Sequence, residues 1–321
     1  MRAQIAATVI AALIASAHSA AAGPNPGAPP APAAAARAAA QPEVINRDGV
    51  VGVWYAPPAG RKVPAVLVLG GSEGGLAGGY YLGRGLAEYG YAVFGLAYFG
   101  APGLPKNLQD IPLEYFAKGL DWLRAQPGVD PDRIAIYGVS KGGEAALLVA
   151  SRHSEIKAVV AGVPSNLVWQ GINFTDFTPR SSFDEGGKPI PYAPYDMSRP
   201  FAGVLDLYKR SLAAAPSHPE AEIPVERINA PILFISGKAD AMWPSAEMAE
   251  AAMHRLDARH FRPRHVHLSY PEAGHSAAVP PSDDPRLKAL DSLGGTAEGN
   301  RLARADMWPK VMAFLDAALR K

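Results

Sequence analysis

No cysteine occurs among the 321 residues, which excludes disulfides, a lipidated N-terminal cysteine and a thiolate nucleophile. Charge is sparse as well. Only 19% of the residues are Asp, Glu, Lys or Arg, the formal net charge is +1, and no Lys/Arg-rich run or basic amphipathic stretch is present. Nucleic acid and membrane surfaces are therefore not expected partners. No apolar run reaches the roughly 20 residues needed to cross a bilayer, so no membrane span is expected. Internal repeats are absent too.

What the chain does have is an apolar fraction of 48%, enough for a sizeable core. Its N-terminus combines Arg2, an apolar run from Ile5 to Ala15 and small residues at Ala20 to Ala22, the pattern of a cleavable signal peptide over residues 1–22. Arg2 is one of 31 basic residues against 30 acidic ones, so the exported chain is expected to be neutral. Residues 23–42 are Pro/Ala-rich without apolar periodicity and read as a flexible tether. The folded part is expected over 43–321.

Within it, apolar runs of β type alternate with helical patterns, the signature of a mostly parallel, doubly wound α/β sheet. Strands are expected at Val50–Pro57 (antiparallel), Pro64–Gly70, Tyr91–Tyr98, Arg133–Val139, Ile156–Val163, Pro231–Gly237 and His265–Tyr270. Helices are expected at Tyr81–Glu88, Leu113–Gln126, Lys141–His153, Ala246–Leu256 and Ala303–Leu319. Residues 164–225, after the sixth strand, break this rhythm with Pro, Gly and aromatic residues and read as an irregular, cap-like insertion.

Two stretches fit Gly-x-Ser-x-Gly: "GGSEG" (Gly70–Gly74) and "GVSKG" (Gly138–Gly142). A nucleophile elbow needs a strand entering the turn and a helix leaving it. The second copy has both, "RIAIY" before and "EAALLVASRH" after. The first is followed by "GLAGGYY", whose glycines are expected to postpone the helix. With two strands counted ahead of Pro64, the first copy follows the third strand and the second follows the fifth. In an α/β-hydrolase fold these are the places of an oxyanion loop and of the nucleophile.

Ser140 is thus the candidate nucleophile. Asp240, just past Pro231–Gly237, and His275, just past His265–Tyr270, follow in the order Ser, acid, His at carboxyl ends of strands. His275 would shuttle the Ser140 proton and Asp240 would orient the ring. Backbone N–H groups near Ser72 or Glu73 and at Lys141 are the candidate oxyanion donors. The side chain of Lys141 is expected to be exposed, and Glu144 to be a first-turn anion favoured by the helix dipole. Trp169, Phe174 and Trp243 are candidate walls of an apolar substrate pocket. His265 and His267 share a strand face, but no third ligand is placed near them and no metal is expected.

The segments "GLAYFGAPGLPKNLQDIPLEYF", "YGVSKGGE", "IPVERINAPILFISGKADAMWPS" and "YPEAGH", with Trp308 near the end, resemble the acyl-CoA thioesterases and bile acid-CoA:amino acid N-acyltransferases. The resemblance covers their C-terminal α/β-hydrolase domain and runs from about Pro64 to the C-terminus. It implies the same nucleophile, acid and base, Ser140, Asp240 and His275. Full-length members carry a β-sandwich domain ahead of the hydrolase; here about twenty residues separate the tether from Pro64, so contributions from such a domain are expected to be absent. The amidating members use a cysteine nucleophile. A serine acyl-enzyme is more readily consumed by water, which favours hydrolysis.

The sequence therefore leads to an exported serine hydrolase acting on a small-molecule acyl ester or thioester through an acyl-serine intermediate, with no metal or organic cofactor. Two other readings share its motifs. One is a cytoplasmic acyl-CoA thioesterase or acyltransferase with an uncleaved N-terminus. The other is a hydrolase-fold binding module without turnover.

Overall fold

The computed structural model describes residues 41–173, 175, 178–282 and 290–320. The leader, the tether up to residue 40 and Phe174 lie outside the described residues. Eight strands form the central sheet: β1 (Glu43–Arg47), β2 (Val50–Tyr55), β3 (Val63–Leu69), β4 (Ala92–Ala97), β5 (Val129–Val139), β6 (Ala158–Gly162), β7 (Ile232–Gly237) and β8 (His265–Tyr270). Their spatial order is β1-β2-β4-β3-β5-β6-β7-β8. β2 pairs antiparallel with both β1 and β4, and β3 to β8 run parallel to one another. Parallel pairing requires crossovers, and these bring helices onto both faces.

Side-chain alternation along the strands divides the core into two layers. Leu67, Phe94 and Phe234 face α2 (Leu113–Arg124), α3 (Lys141–Ala150) and α5 (Ser245–Ala258). Val66, Val68, Val93 and Ile235 face α1 (Ala77–Tyr89) and α6 (Ala297–Leu319). A strand buried on both sides has little use for polar residues, and all seven residues of β3 are buried.

Two helices start earlier than the sequence suggests. α1 begins at Ala77 and runs through Gly78 and Gly79 rather than waiting for Tyr81. A methyl group on Gly78 would lie 2.4 Å from Gly70 Cα. These glycines therefore serve close helix–sheet contact, which outweighs their poor helix propensity. α6 begins at Ala297, capped by the Thr296 hydroxyl, which accepts the Gly299 N–H at 2.9 Å.

Between β6 and β7 the chain is less irregular than expected. It contains α4 (Val204–Ala214), three 3₁₀ turns, and strands Phe183–Glu185 and Lys188–Pro189 that join Ile111–Pro112 in a three-stranded ribbon. α4 buries Leu207, Tyr208, Arg210 and Ser211 on one side. Its short apolar stripe is masked in the sequence by the Pro- and Gly-rich flanks. Among the described residues no helix is long and apolar enough to cross a membrane.

Candidate active site

β5 ends at Val139 and α3 starts at Lys141, leaving Ser140 alone in the turn with φ 59° and ψ −123°. A non-glycine residue held there is strained, and such strain persists only where the surroundings over-determine it. The surroundings here are tight. A methyl group on Gly138 would lie 1.9 Å from the Gly142 carbonyl oxygen, and one on Gly142 would lie 2.3 Å from the carbonyl oxygens of Leu69 and Gly70. The Ser140 N–H donates to the Gly162 carbonyl at 2.9 Å, tying the turn to β6.

Ser140 Oγ lies 2.9 Å from Nε2 of His275, whose Nδ1 lies 2.8 Å from Asp240 Oδ2. The three residues selected from sequence thus form one hydrogen-bonded chain at the carboxyl ends of β5, β7 and β8. Asp240 is itself fixed by four donors. Oδ1 accepts the N–H groups of Met242 at 2.9 Å and Trp243 at 3.3 Å, and Oδ2 accepts the Ser245 hydroxyl at 2.6 Å besides the His275 ring. A carboxylate so held keeps the imidazole in one orientation with Nε2 free to take the serine proton.

The loops carrying Asp240 and His275 are clasped by a segment without a motif in the sequence analysis, "GGTAEGN" (Gly294–Asn300). The Gly295 N–H donates to Ala239 O, and the Thr296 N–H to Glu272 O, both at 2.9 Å. Buried Asn300 accepts the Gly274 N–H at 2.8 Å and donates to Gly294 O at 3.0 Å. Gly294 has φ 108°. The paired glycines were the available signal, since L side chains rarely adopt this conformation.

The loop after β3 lies against the elbow: a methyl group on Gly71 would sit 3.0 Å from Ser140 Cβ and 2.9 Å from Glu73 Oε2. Glu73 Oε1 accepts the Gly71 N–H at 3.0 Å and the Tyr81 hydroxyl at 2.9 Å. Burial raises the Glu73 carboxyl above its ordinary range, against the opposing pull of its own backbone N–H, Tyr81, Gly71 and His275. The Gly71 and Glu73 N–H groups are thus directed at this carboxylate. The N–H groups of Ser72 and Lys141 have no acceptor among the described residues.

Glu144 lies in the first turn of α3 as expected, whereas the Lys141 side chain is buried rather than exposed. Lys141 is 1% exposed and Glu144 0%; Nζ of Lys141 contacts Glu144 Oε1 at 2.8 Å and Oε2 at 2.6 Å. Burial pushes Glu144 up and Lys141 down, and their pairing opposes both shifts. All ten residues of α3 are buried, so a solvated first turn is unavailable.

Trp169 and Trp243 are fully buried and pack with Tyr208 in one aromatic cluster rather than standing as open walls. The Trp243 ring reaches to 6.1 Å from the His275 ring and donates Nε1–H to Val163 O at 3.0 Å. The imidazole pair raised by the sequence splits between separate partners. His265 contacts Asp257 and Pro263, whereas His267 contacts Ser236.

Residues 111–321 match the family described as BAAT / Acyl-CoA thioester hydrolase C terminal. The chain belongs to this family. A curated relative, acyl-coenzyme A thioesterase 6 of Homo sapiens, is 30% identical over 281 residues, which cover 85% of this chain and 64% of that protein. The chain thus spans less than two thirds of the curated relative's length. The fold recurs in an acylaminoacyl peptidase from Pyrococcus horikoshii (TM-score 0.58, 15% identity, covering 88% of this chain and 42% of that one). It also recurs in a dienelactone hydrolase-like promiscuous phosphotriesterase from metagenomic libraries (TM-score 0.55, 17% identity, covering 87% and 99%). The fold is that of the α/β-hydrolases, as the strand count around the two serine motifs suggested.

Proposed function

We propose that this member of the acyl-CoA thioesterase family is an exported serine hydrolase that cleaves a small-molecule acyl thioester or ester through an acyl-Ser140 intermediate. The observation carrying this reading is the continuous Ser140–His275–Asp240 hydrogen-bond chain with the serine at a strained strand-to-helix turn. Family membership supports the hydrolytic class and the signal-like residues 1–22 support export.

In this mechanism Ser140 Oγ attacks the acyl carbon as its proton passes to His275 Nε2. The carbonyl oxygen, now an oxyanion, accepts the N–H groups of Ser72 and Lys141. Collapse breaks the bond to the leaving sulfur or oxygen, which takes the proton from His275. Water then attacks the acyl-enzyme, gives a proton to His275, and the serine recovers it as the carboxylic acid departs. Asp240 keeps its charge throughout and stabilises the imidazolium.

A fluorophosphonate probe tests competence and assignment together. Labelling is expected in the parent and in Ser72→Ala, which retains its backbone N–H, and is expected to vanish in Ser140→Ala. Labelling that persists in Ser140→Ala would remove Ser140 from this role. Parallel turnover of acyl-CoAs, simple esters and lactones identifies the leaving group. N-terminal sequencing of the chain recovered outside the cytoplasm tests export, and an intact Met1 in the cytosol would overturn it.

A further inference from the structure

A buried ion pair immediately beside the candidate nucleophile is costly. Such pairs are often replaceable by apolar residues without loss of stability, so stability alone is a poor reason for one to sit here. Its contacts point to another role. Glu144 Oε1, besides meeting Lys141, accepts the backbone N–H of Trp169 at 3.1 Å. Lys141 Nζ donates to Ser182 Oγ at 2.8 Å, and that hydroxyl donates to the Trp169 carbonyl at 2.8 Å. Both peptide groups of Trp169 are thereby held by a pair rooted in the first turn of the elbow helix.

From Trp169 the contacts continue to the base. Its indole Nε1–H donates to Ser165 Oγ at 2.8 Å, and its ring meets Tyr208 edge-on at 5.2 Å. Tyr208 meets Trp243 at 5.4 Å, and Trp243 meets His275 at 6.1 Å. A closed circuit results. It leaves Ser140 through its neighbour Lys141, crosses a strap made of residues 165–173 and 178–183, and returns to Ser140 Oγ through His275.

We propose that Lys141 and Glu144 are a positioning pair. They hold the strap, and through Trp169, Tyr208 and Trp243 the His275 ring, in register with Ser140, and they fix the backbone N–H of Lys141 toward the oxyanion. The inference rests on the hydrolase reading of Ser140. It makes the strap a tethered brace that stays in place during turnover, because opening it would break the Trp169 N–H bond to Glu144, the Lys141 bond to Ser182 and the packing of Trp169 on Tyr208 together.

The test compares the second-order rate of fluorophosphonate labelling at Ser140, and kcat on a p-nitrophenyl ester, with thermal stability. The variants are Glu144→Gln, Lys141→Met and the double variant. Each single variant leaves one buried charge unpaired and is expected to lose stability. The double variant leaves none and retains an amide oxygen for the Trp169 N–H, so its Tm is expected near the parent's. Its labelling rate and kcat are nevertheless expected to fall about tenfold or more, with KM changing less. Ser182→Ala leaves the ion pair intact and loosens only the strap end, and is expected to slow labelling about threefold. A double variant or Ser182→Ala that labels at the parent rate overturns the positioning role while leaving the hydrolase reading intact. A parent that does not label at all overturns both.

Discussion

Ser245 and His275 share a single oxygen of Asp240, at 2.6 and 2.8 Å. Ser245 opens α5 and is fully buried, so one side chain at a helix start holds the carboxylate that would orient the base. Removing the hydroxyl in Ser245→Ala leaves Oδ2 with the imidazole alone and Oδ1 still bound by two backbone N–H groups. Hydrogen bonds to charged groups contribute about 1.5–3 kcal/mol. Stability is expected to fall within that range, and kcat about three- to tenfold with KM little changed. Chemical denaturation and steady-state kinetics check both numbers.

Asn300 connects two loops that the chain keeps far apart. Truncation in Asn300→Ala would leave the buried Gly274 N–H and the Gly294 carbonyl without their side-chain partner. At about 1–3 kcal/mol for an unsatisfied buried group, the Gly274 N–H alone is expected to cost about that much, with a smaller addition from the half-buried Gly294 carbonyl. Because Gly274 directly precedes His275, kcat should also fall at temperatures where the variant remains folded. A variant that loses stability but keeps kcat would show that the clasp supports the fold without setting the base.

These two residues mark where the sequence stops being readable. Ser140, Asp240 and His275 were legible as one cluster because strand, turn and helix signals lie next to them in the chain. Oγ of Ser140 and Nε2 of His275 then meet across 135 positions of sequence, as the strand order dictates. Ser245, Asn300 and the Lys141–Glu144 pair were not legible, since each owes its role to a tertiary partner without a local signature. Lys141 shows this clearly: a lysine after an elbow suggests a solvated first turn, and only the strap folded over α3 removes the solvent. The glycines of α1 misled for the same reason, because their helix penalty is local and the contact they permit with Gly70 is not.

Gly71 offers a steric test of the loop after β3. A methyl group there would lie 2.9 Å from Glu73 Oε2 and 3.0 Å from Ser140 Cβ. Gly71→Ala is therefore expected to push the loop away from the elbow, carrying the Ser72 N–H out of reach of the oxyanion. Loss of one such donor typically costs about 100-fold or more in kcat. The expected signature is a large fall in kcat with a small change in Tm. If kcat stays within threefold of the parent, Ser72 is not the donor.

Glu73 supplies the pH test. Burial raises its carboxyl above the ordinary value of 4.5 in the folded chain. Between that value and its folded one, the native state binds more protons at this site than the unfolded state. Stability contributed by the protonated form is therefore present below 4.5 and is lost as pH rises through the folded pKa. Glu73→Gln keeps an oxygen for the Gly71 N–H and the Tyr81 hydroxyl but cannot ionise. The Tm of Glu73→Gln minus that of the parent is expected to be smallest at acid pH, then to grow more positive as pH rises through the carboxylate range to a plateau. A difference that is flat with pH would mean that the donors around Glu73 offset its burial, and one that favours the parent increasingly toward neutrality would mean that they outweigh it. Its carboxylate would then hold the loop as an anion by choice of energy, and the Gly71 N–H would be gripped more tightly at neutral pH than at acid pH.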